Sequence, residues 1–548
     1  MPTLNWIGKD KVITHHQEVP FRVLEHKYNF GENNSTEVSD NKIIHGDNLE
    51  ALKALLPEYE GRIKCIYIDP PYNTGNENWV YNDNVNDPKI KKWLGQVVGK
   101  EAEDLTRHDK WLCMMYPRLK LLHQLLAEDG AIFISIDYRE QANLKLICNE
   151  IFGVNNYITE IACINNPKGR SDDKYFATTH ESIVVFRKTS KFEIGGFEPE
   201  ENITKRYNKV DSLNRKYREI DLRKTGDEDL REDRPDMFYP FFYNKATNNI
   251  MVGDNDKDTP NDCIRILPMK TKDIEGRWRW GCNTAKNQVD LLIVRYMPAK
   301  KQWGVFEMDY LDKREEITPT THWNFKDVNS ERGTEMFIKF LGFKKQNFPN
   351  PKPVGTIERI IKIATNPGDI VLDSFAGSGT TSQAVLNLNK QETLNRKFIL
   401  IEMENYAENI TAERVRRVIN GYGDMDGTGG NFAYYELGQA IFTPNHELNE
   451  TIGEDKIRRY IYYSETSQPL TRLRDNADDY LLDVFQNTAY YFYYLQDQLT
   501  TLDLKALKLV TSTSEQYVIY ADNCLLDKDF MRTNKIIFKK IPRDIKRF

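Results

Sequence analysis

The sequence predicts an α/β fold on a mostly parallel sheet, with a module of different character inserted into its middle. Three observations carry this. Apolar runs such as Ile66-Tyr67-Ile68 and Ala131-Ile132-Phe133-Ile134-Ser135-Ile136 lack polar alternation, as strands buried on both faces require. Segments of helical length and apolar spacing separate these runs, which is the βαβ pattern. The alternation fails from about residue 190 to 330, where mixed charges and aromatic clusters replace it, and resumes after Phe348.

Composition narrows the class. A chain of 548 residues exceeds what one core fills, so several domains are expected. Hydrophobic content of 40% and charged content of 29% are those of an ordinary globular protein, and no window is apolar enough for a membrane span. The start lacks a signal-peptide pattern, and seven scattered cysteines without a C-x-x-C pair point to a reducing cytoplasm, without disulfides or a structural metal. The adjacent His15-His16 has no second ligand cluster and is expected to be solvated. A net charge of −6 counts against a broadly basic nucleic-acid binder but leaves room for a basic cleft.

Taken in order, residues 1–40 are polar and irregular. The first strand, Lys42 to Gly46, ends at Asp47-Asn48, which can cap the helix Leu49 to Leu56; Asp47 is equally open to a ligand contact. The next strand ends in Asp69-Pro70-Pro71-Tyr72. Prolines cannot donate to a ladder, so they stop the strand and present Asp69 and Tyr72 at its carboxyl end, where open α/β sheets hold ligands. The carboxylate and the Pro70 carbonyl can accept both hydrogens of an aromatic amine while Tyr72 stacks on its ring. A strand ending in a plain proline turn would leave the same tetrapeptide, so the motif gains its weight from the rest of the chain.

A polar loop to about 108, with Trp79, Tyr81 and Trp93, reads as a substrate lid. A helix from Lys110 to Ala127 is stopped by Glu128-Asp129-Gly130; a central strand, Ala131 to Asp137, and a helix, Arg139 to Phe152, follow. Strands Glu160 to Asn165 and Ser182 to Arg187 are expected to pair as an antiparallel edge. Within the insert, the aromatics at 238–243 and Trp278-Arg279-Trp280 can line a nucleic-acid groove or form the module's own core, and the core is the safer reading.

After the helix Gly355 to Ala364 comes Asp373-Ser374-Phe375-Ala376-Gly377-Ser378-Gly379-Thr380, in which a strand enters a tight Gly-x-Gly turn and a helix leaves it. That is the context of a Rossmann-type ligand loop; the absence of a Lys after the glycines excludes a phosphate-cradling P-loop. The strand Lys397 to Glu402 ends in an acid placed to accept from ribose hydroxyls, with a helix cap as the alternative. Beyond 425 a Gly-rich stretch opens a segment with the cluster Tyr490-Tyr491-Phe492-Tyr493-Tyr494. Those aromatics suit either an interface or a small core.

With D-P-P-Y at 69–72 and D-x-F-A-G-S-G-T-T at 373–381, the chain resembles the β class of S-adenosylmethionine-dependent DNA amino-methyltransferases, and among them the Mod subunits of Type III restriction–modification systems. Gly46-Asp47-Asn48-Leu49, Pro351-Lys352-Pro353 and the ending around Phe538 to Ile545 fit the same picture. The resemblance implies a Rossmann-like, seven-stranded methyltransferase sheet in circularly permuted motif order, an inserted α+β target-recognition domain and a small C-terminal domain. The expected divisions are an extension at 1–40, a catalytic half at 41–190, a recognition insert at 191–335, a cofactor half at 336–425 and an interaction domain at 426–548.

The resemblance also implies methyl transfer from S-adenosylmethionine to N6 of a flipped adenine, with no metal. Asp69, Pro70, Pro71 and Tyr72 are the expected catalytic set. Asp47, Lys352, Asp373, Phe375, Ala376, Gly377, Ser378, Gly379, Thr380 and Glu402 are the expected cofactor contacts. A solitary adenine enzyme, an N4-cytosine enzyme and a non-catalytic DNA specificity subunit are the alternatives. Expected partners are double-stranded DNA, a second copy of the chain and a helicase–nuclease restriction subunit, in a prokaryotic cytoplasm.

Overall fold

The computed structural model describes residues 3–31, 38–73, 92, 95, 107–169, 173–199, 204–254, 258–314, 316–476, 479–496 and 498–542. Trp79, Tyr81 and Trp93 of the expected lid, and the last residues of the chain, lie outside this set. Two compact units emerge, Met1–Gly195 with Pro319–Phe548, and Gly196–Thr318.

The larger unit is built on one sheet. Its strands are β1 (Arg22–Gly31), β2 (Lys42–His45), β3 (Ile63–Ile68), β4 (Leu126–Ile136), β5 (Tyr157–Cys163), β6 (Glu181–Arg187), β7 (His322–Trp323), β8 (Ile370–Asp373), β9 (Lys397–Glu402) and β10 (Asn431–Ala440), in the spatial order β1-β10-β2-β9-β8-β3-β4-β6-β5-β7. From β10 to β4 every neighbour is parallel; β6 is antiparallel to β4 and to β5, and β1 to β10. Helices α1 (Asn48–Tyr59), α2 (Arg107–Leu125), α3 (Tyr138–Phe152), α4 (Val354–Ala364), α5 (Thr380–Glu392) and α6 (Glu413–Asn420) connect or follow the strands. Ile44, Ile66, Ile132, Ile134, Leu372 and Ile399 are wholly buried, which is why the parallel strands read as unbroken apolar runs.

All seven expected strands share the sheet, and three more extend it. β1 lies in the segment read as irregular, because an edge strand buried on one side carries charged residues at Glu25 and Lys27 that mask its period. β10 follows the glycines read as a boundary, yet it lies between β1 and β2. β7 is two residues long, too short to leave a pattern, and it takes the edge position expected for β5. α2 ends at Leu125, two residues before the expected end at Ala127, but Glu128 and Asp129 run inside β4 rather than forming the stop. Gly130 serves the β3–β4 register shift instead, since a Cβ there would meet the Ile63 and Lys64 carbonyls at 2.9 Å. His16 is buried rather than solvated, and burial pushes its pKa down to about 4.

The smaller unit contains a three-stranded and a four-stranded antiparallel sheet, centred on Phe241–Asn244 and Gln302–Tyr310. Tyr239, Phe241, Tyr243 and Trp278 form its core, in line with the safer of the two readings. Most of the aromatic run at 490–494 is likewise interior: Tyr491, Phe492 and Tyr494 are at most 2% exposed, and Phe492 and Tyr494 belong to a cluster that also takes in Val23 of β1. The helix Glu454–Thr466 joins that segment to α1 through a hydrogen bond from Tyr463 to Glu60.

Because β10 completes the parallel run, a chain ending at Asp426 should lose cooperative thermal unfolding and aggregate. A cooperative transition near that of the full chain would show that β10 is dispensable.

Candidate active site

The order of the strands opens a crevice. From β3 the chain passes through α2 to β4 on one side, and from β8 it passes through α5 to β9 on the other. β3 and β8 are themselves neighbours, with Ile66 opposite Leu372. Two crossovers leaving in opposite directions uncover the carboxyl ends of the strands between them, which is where such sheets bind ligands. Asp69-Pro70-Pro71-Tyr72 and Asp373-Ser374-Phe375-Ala376-Gly377 both emerge there, and a cavity of about 1000 Å³ is lined by Asp69, Pro70, Tyr72, Asp373, Phe375 and Gly377 together.

The first motif is held rigidly. Trp111 Nε1 donates to the Pro71 carbonyl at 2.7 Å. The next residue, Asn73, turns the chain with φ 57°, a left-handed conformation that Asn tolerates better than most residues. Its buried amide donates to the Arg107 carbonyl and to Glu140, which also meets His108 Nδ1 at 2.7 Å. Burial raises the Asp69 carboxyl to about 6, opposed by the Lys352 ammonium and reinforced by Glu181.

Glu181 and the position of the Lys352 ammonium are what the sequence reading missed. Lys352 Nζ lies 2.6 Å from Glu181 Oε2 and 3.3 Å from Asp69 Oδ1, and donates to the Tyr72 hydroxyl. Tyr72 in turn donates to Glu181 Oε2 at 2.9 Å. Only the backbone of Lys352 reaches the second motif, where its carbonyl accepts from Thr380 Oγ1 at 3.4 Å. An acid at the start of an apolar strand, as in His180-Glu181-Ser182-Ile183, was the available signal for Glu181.

The second motif is a loop fixed by buried groups. Gly377 and Gly379 have φ 53° and 78°, and a Cβ on Gly379 would meet the Thr411 carbonyl at 3.1 Å. Asp373 accepts from the Phe375 amide at 3.0 Å and from Thr381 Oγ1 at 2.5 Å, and burial raises it to about 7. Glu402 accepts from the Gly377 and Glu404 amides at 2.7 and 2.9 Å, and burial raises it to about 8. It thus anchors the loop from beneath and, like Gly379, is not among the cavity-lining residues.

Asp47 is also outside the lining. It caps α1 by accepting from the Leu49 and Glu50 amides, and Asn48 beside it donates to the Ser374 carbonyl. Arg414 was not foreseen: its buried guanidinium donates to Ser378 Oγ, Thr380 Oγ1 and Gln383 Oε1 beneath the loop. Spacing with Val418 on one face of α6 placed it inward.

A family profile described as DNA methylase matches residues 63–413. The chain is 34% identical over 415 residues to the Type III restriction-modification enzyme EcoPI Mod subunit of Escherichia phage P1, covering 73% of this chain and 63% of that relative. It is 34% identical over 366 residues to the Type II methyltransferase M.KpnI of Klebsiella pneumoniae, covering 66% and 81% respectively. The chain therefore spans less than two thirds of the length of the phage relative. A crystal structure of an M1.HpyAVI–SAM complex aligns at 15% identity over 68% of this chain and 98% of that one, with a TM-score of 0.31.

Glu402 binds its extra proton more tightly folded than unfolded, so wild-type stability falls as pH rises from 4.5 through about 8. Glu402→Gln removes that dependence. The melting temperature of wild type relative to Glu402→Gln should drop across this window, and a constant difference would mean that Glu402 is ionised throughout.

Proposed function

The chain belongs to the DNA methylase family, and from that premise we propose that it moves a methyl group from S-adenosylmethionine to N6 of an adenine flipped out of duplex DNA. The observation that carries this is the cavity shared by Asp69 and Tyr72 on one side and Asp373, Phe375 and Gly377 on the other. The second set fits the cofactor: a carboxyl for an ammonium, an aromatic ring, and loop backbone close enough to approach a polar ligand. Asp373, Phe375, Ala376, Gly377, Ser378 and Thr380 would hold it, with Glu402 and Arg414 fixing the loop.

S-adenosylmethionine supplies a methyl group on a sulfonium, electrophilic enough that no covalent attachment to the protein is needed. The protein's task is the amine, whose lone pair is delocalised into the ring. Asp69 accepts one N6 hydrogen and the Pro70 carbonyl the other, which localises the pair and aims it at the methyl carbon. As nitrogen uses that pair to form the new bond, one of its protons becomes acidic. Asp69, raised to about 6, is a better acceptor for that proton than an ordinary carboxylate. Tyr72 supplies a stacking face worth about 1–3 kcal/mol, against a flipping cost of a few kcal/mol.

The unit Gly196–Thr318 is assigned to sequence recognition because it interrupts the catalytic unit in the chain. Exposed Lys92 and Lys168 are assigned to phosphate contacts; Lys89, Lys91 and Arg170, of the same two basic stretches, lie outside the described residues. A second copy of the chain and a restriction subunit are further partners, supported by similarity to Mod subunits alone. Of the aromatics at 490–494, Tyr491, Phe492 and Tyr494 are buried, which favours the small core of the two readings.

Mass spectrometry of nucleosides from DNA incubated with the protein and cofactor should show N6-methyladenine; N4-methylcytosine alone would overturn the adenine assignment. Asp69→Ala should lower single-turnover transfer by about 100-fold or more while cofactor affinity is retained. Gly377→Val, which strains the loop at φ 53°, should lose cofactor affinity itself. Equal loss of affinity in both would mean that the two sites are misassigned.

A further inference from the structure

The Asp69 carboxylate that must receive the amine already faces an ammonium. Lys352 Nζ stands 3.3 Å from Asp69 Oδ1, and a cation left there competes with the incoming amine for the same oxygen. The carboxylate nearer to the ammonium is Glu181, at 2.6 Å. Glu181 is held at the start of β6, opposite Cys163 of β5, and its side chain is 8% exposed. The same oxygen, Oε2, also accepts from the Tyr72 hydroxyl. One carboxylate therefore fixes both the cation and the ring.

We propose that Glu181 is a positioning residue for methyl transfer: it retains the Lys352 ammonium and the Tyr72 hydroxyl, so that Asp69 is neutralised while the site is empty and released to the exocyclic amine when the base arrives. This rests on the function proposed above. The ammonium need not leave the site for the base to enter. It shifts its weight from the farther carboxylate to the nearer, without an ion being exposed to water or left unpaired in a buried place. The Lys352 backbone cannot follow, because it is set between Pro351 and Pro353 and its carbonyl accepts from Thr380, so the exchange is confined to the end of the side chain. Tyr72 keeps its orientation throughout, since its hydroxyl accepts from Lys352 and donates to Glu181.

The groups that face Asp69 set the direction of the test. They are Lys352 before α4, Glu181 on β6, Tyr72 on its own loop, the Tyr67 hydroxyl on β3 and Asp373 on β8. Cys163 on β5 lies beside Lys352 and Glu181, and Arg139 at the start of α3 lines the cavity but is paired with Asp137. Glu181→Gln keeps an oxygen able to accept from both Lys352 and Tyr72 but removes the charge. Of the two carboxylates at the ammonium, only Asp69 then carries a charge to balance it. Lys352→Met removes the cation and leaves two carboxylates facing each other across Tyr72.

The two variants should therefore move the acid limb of the single-turnover rate on undermethylated plasmid DNA in opposite directions: to lower pH in Glu181→Gln and to higher pH in Lys352→Met. Glu181→Gln should also lower the plateau rate by about 10-fold, because the ammonium now occupies the amine's acceptor. A merely structural Glu181 would lower the rate without moving the limb, and limbs that stay in place or move together overturn the proposal. Carboxyl-carbon NMR titration of Asp69, assigned with Asp69→Asn, should show the same opposed shifts without any DNA. If the wild type methylates no DNA, the proposed function fails; the NMR shifts then still decide whether Glu181 governs the Asp69–Lys352 pair.

Discussion

The parallel pairing of β3 with β8 is the contact on which the site depends. It joins Cys65 and Ile66 to Val371 and Leu372, segments separated by the whole of the smaller unit in the sequence. Without it the two motifs have no fixed relation. With it, Asp69 and Asp373 stand at the ends of adjacent strands and open into the same cavity. The pairing is fully buried and lies in the middle of a ten-stranded sheet, so it is among the least deformable parts of the molecule.

That rigidity has an electrostatic consequence. Strand ends buried in an apolar sheet desolvate whatever acids they carry, and Asp69, Asp373 and Glu402 are all raised, to about 6, 7 and 8. The protein answers with two different devices. At Glu402 it supplies backbone amides, which tie the acid to the glycine loop. At Asp69 it supplies an ammonium shared with Glu181. A loop anchor has to stay still, whereas an acceptor for an incoming amine has to be given up on demand. The difference between amide and ammonium matches the different tasks proposed for the two acids.

Much of this was legible from the residues alone. The unbroken apolar runs identified the buried strands, the two prolines and the two glycines marked where strands give way to loops, and the failure of alternation covered the stretch that contains the smaller unit. β1 and β7 escaped because an edge strand with one polar face, or only two residues, carries almost no periodic signal. Gly130 was misread as a helix stop because a glycine that accommodates a register shift looks no different in sequence from one that ends a helix.

Local commitments are therefore written in the order of residues: which segments are strands, where they stop, and which side chains are delivered at their ends. Backbone restriction and hydrophobic period act over a few residues, so a short window suffices to read them. Which of those ends meet was settled by long-range packing alone. Packing assigned Asp47 to the cap of α1, Glu402 to the underside of the loop, and the ammonium of Lys352 to Asp69, Tyr72 and Glu181. The last two assignments turn on partners far away in the chain. A polar side chain's role is set by whichever donor or charge burial brings beside it, and no local pattern encodes that.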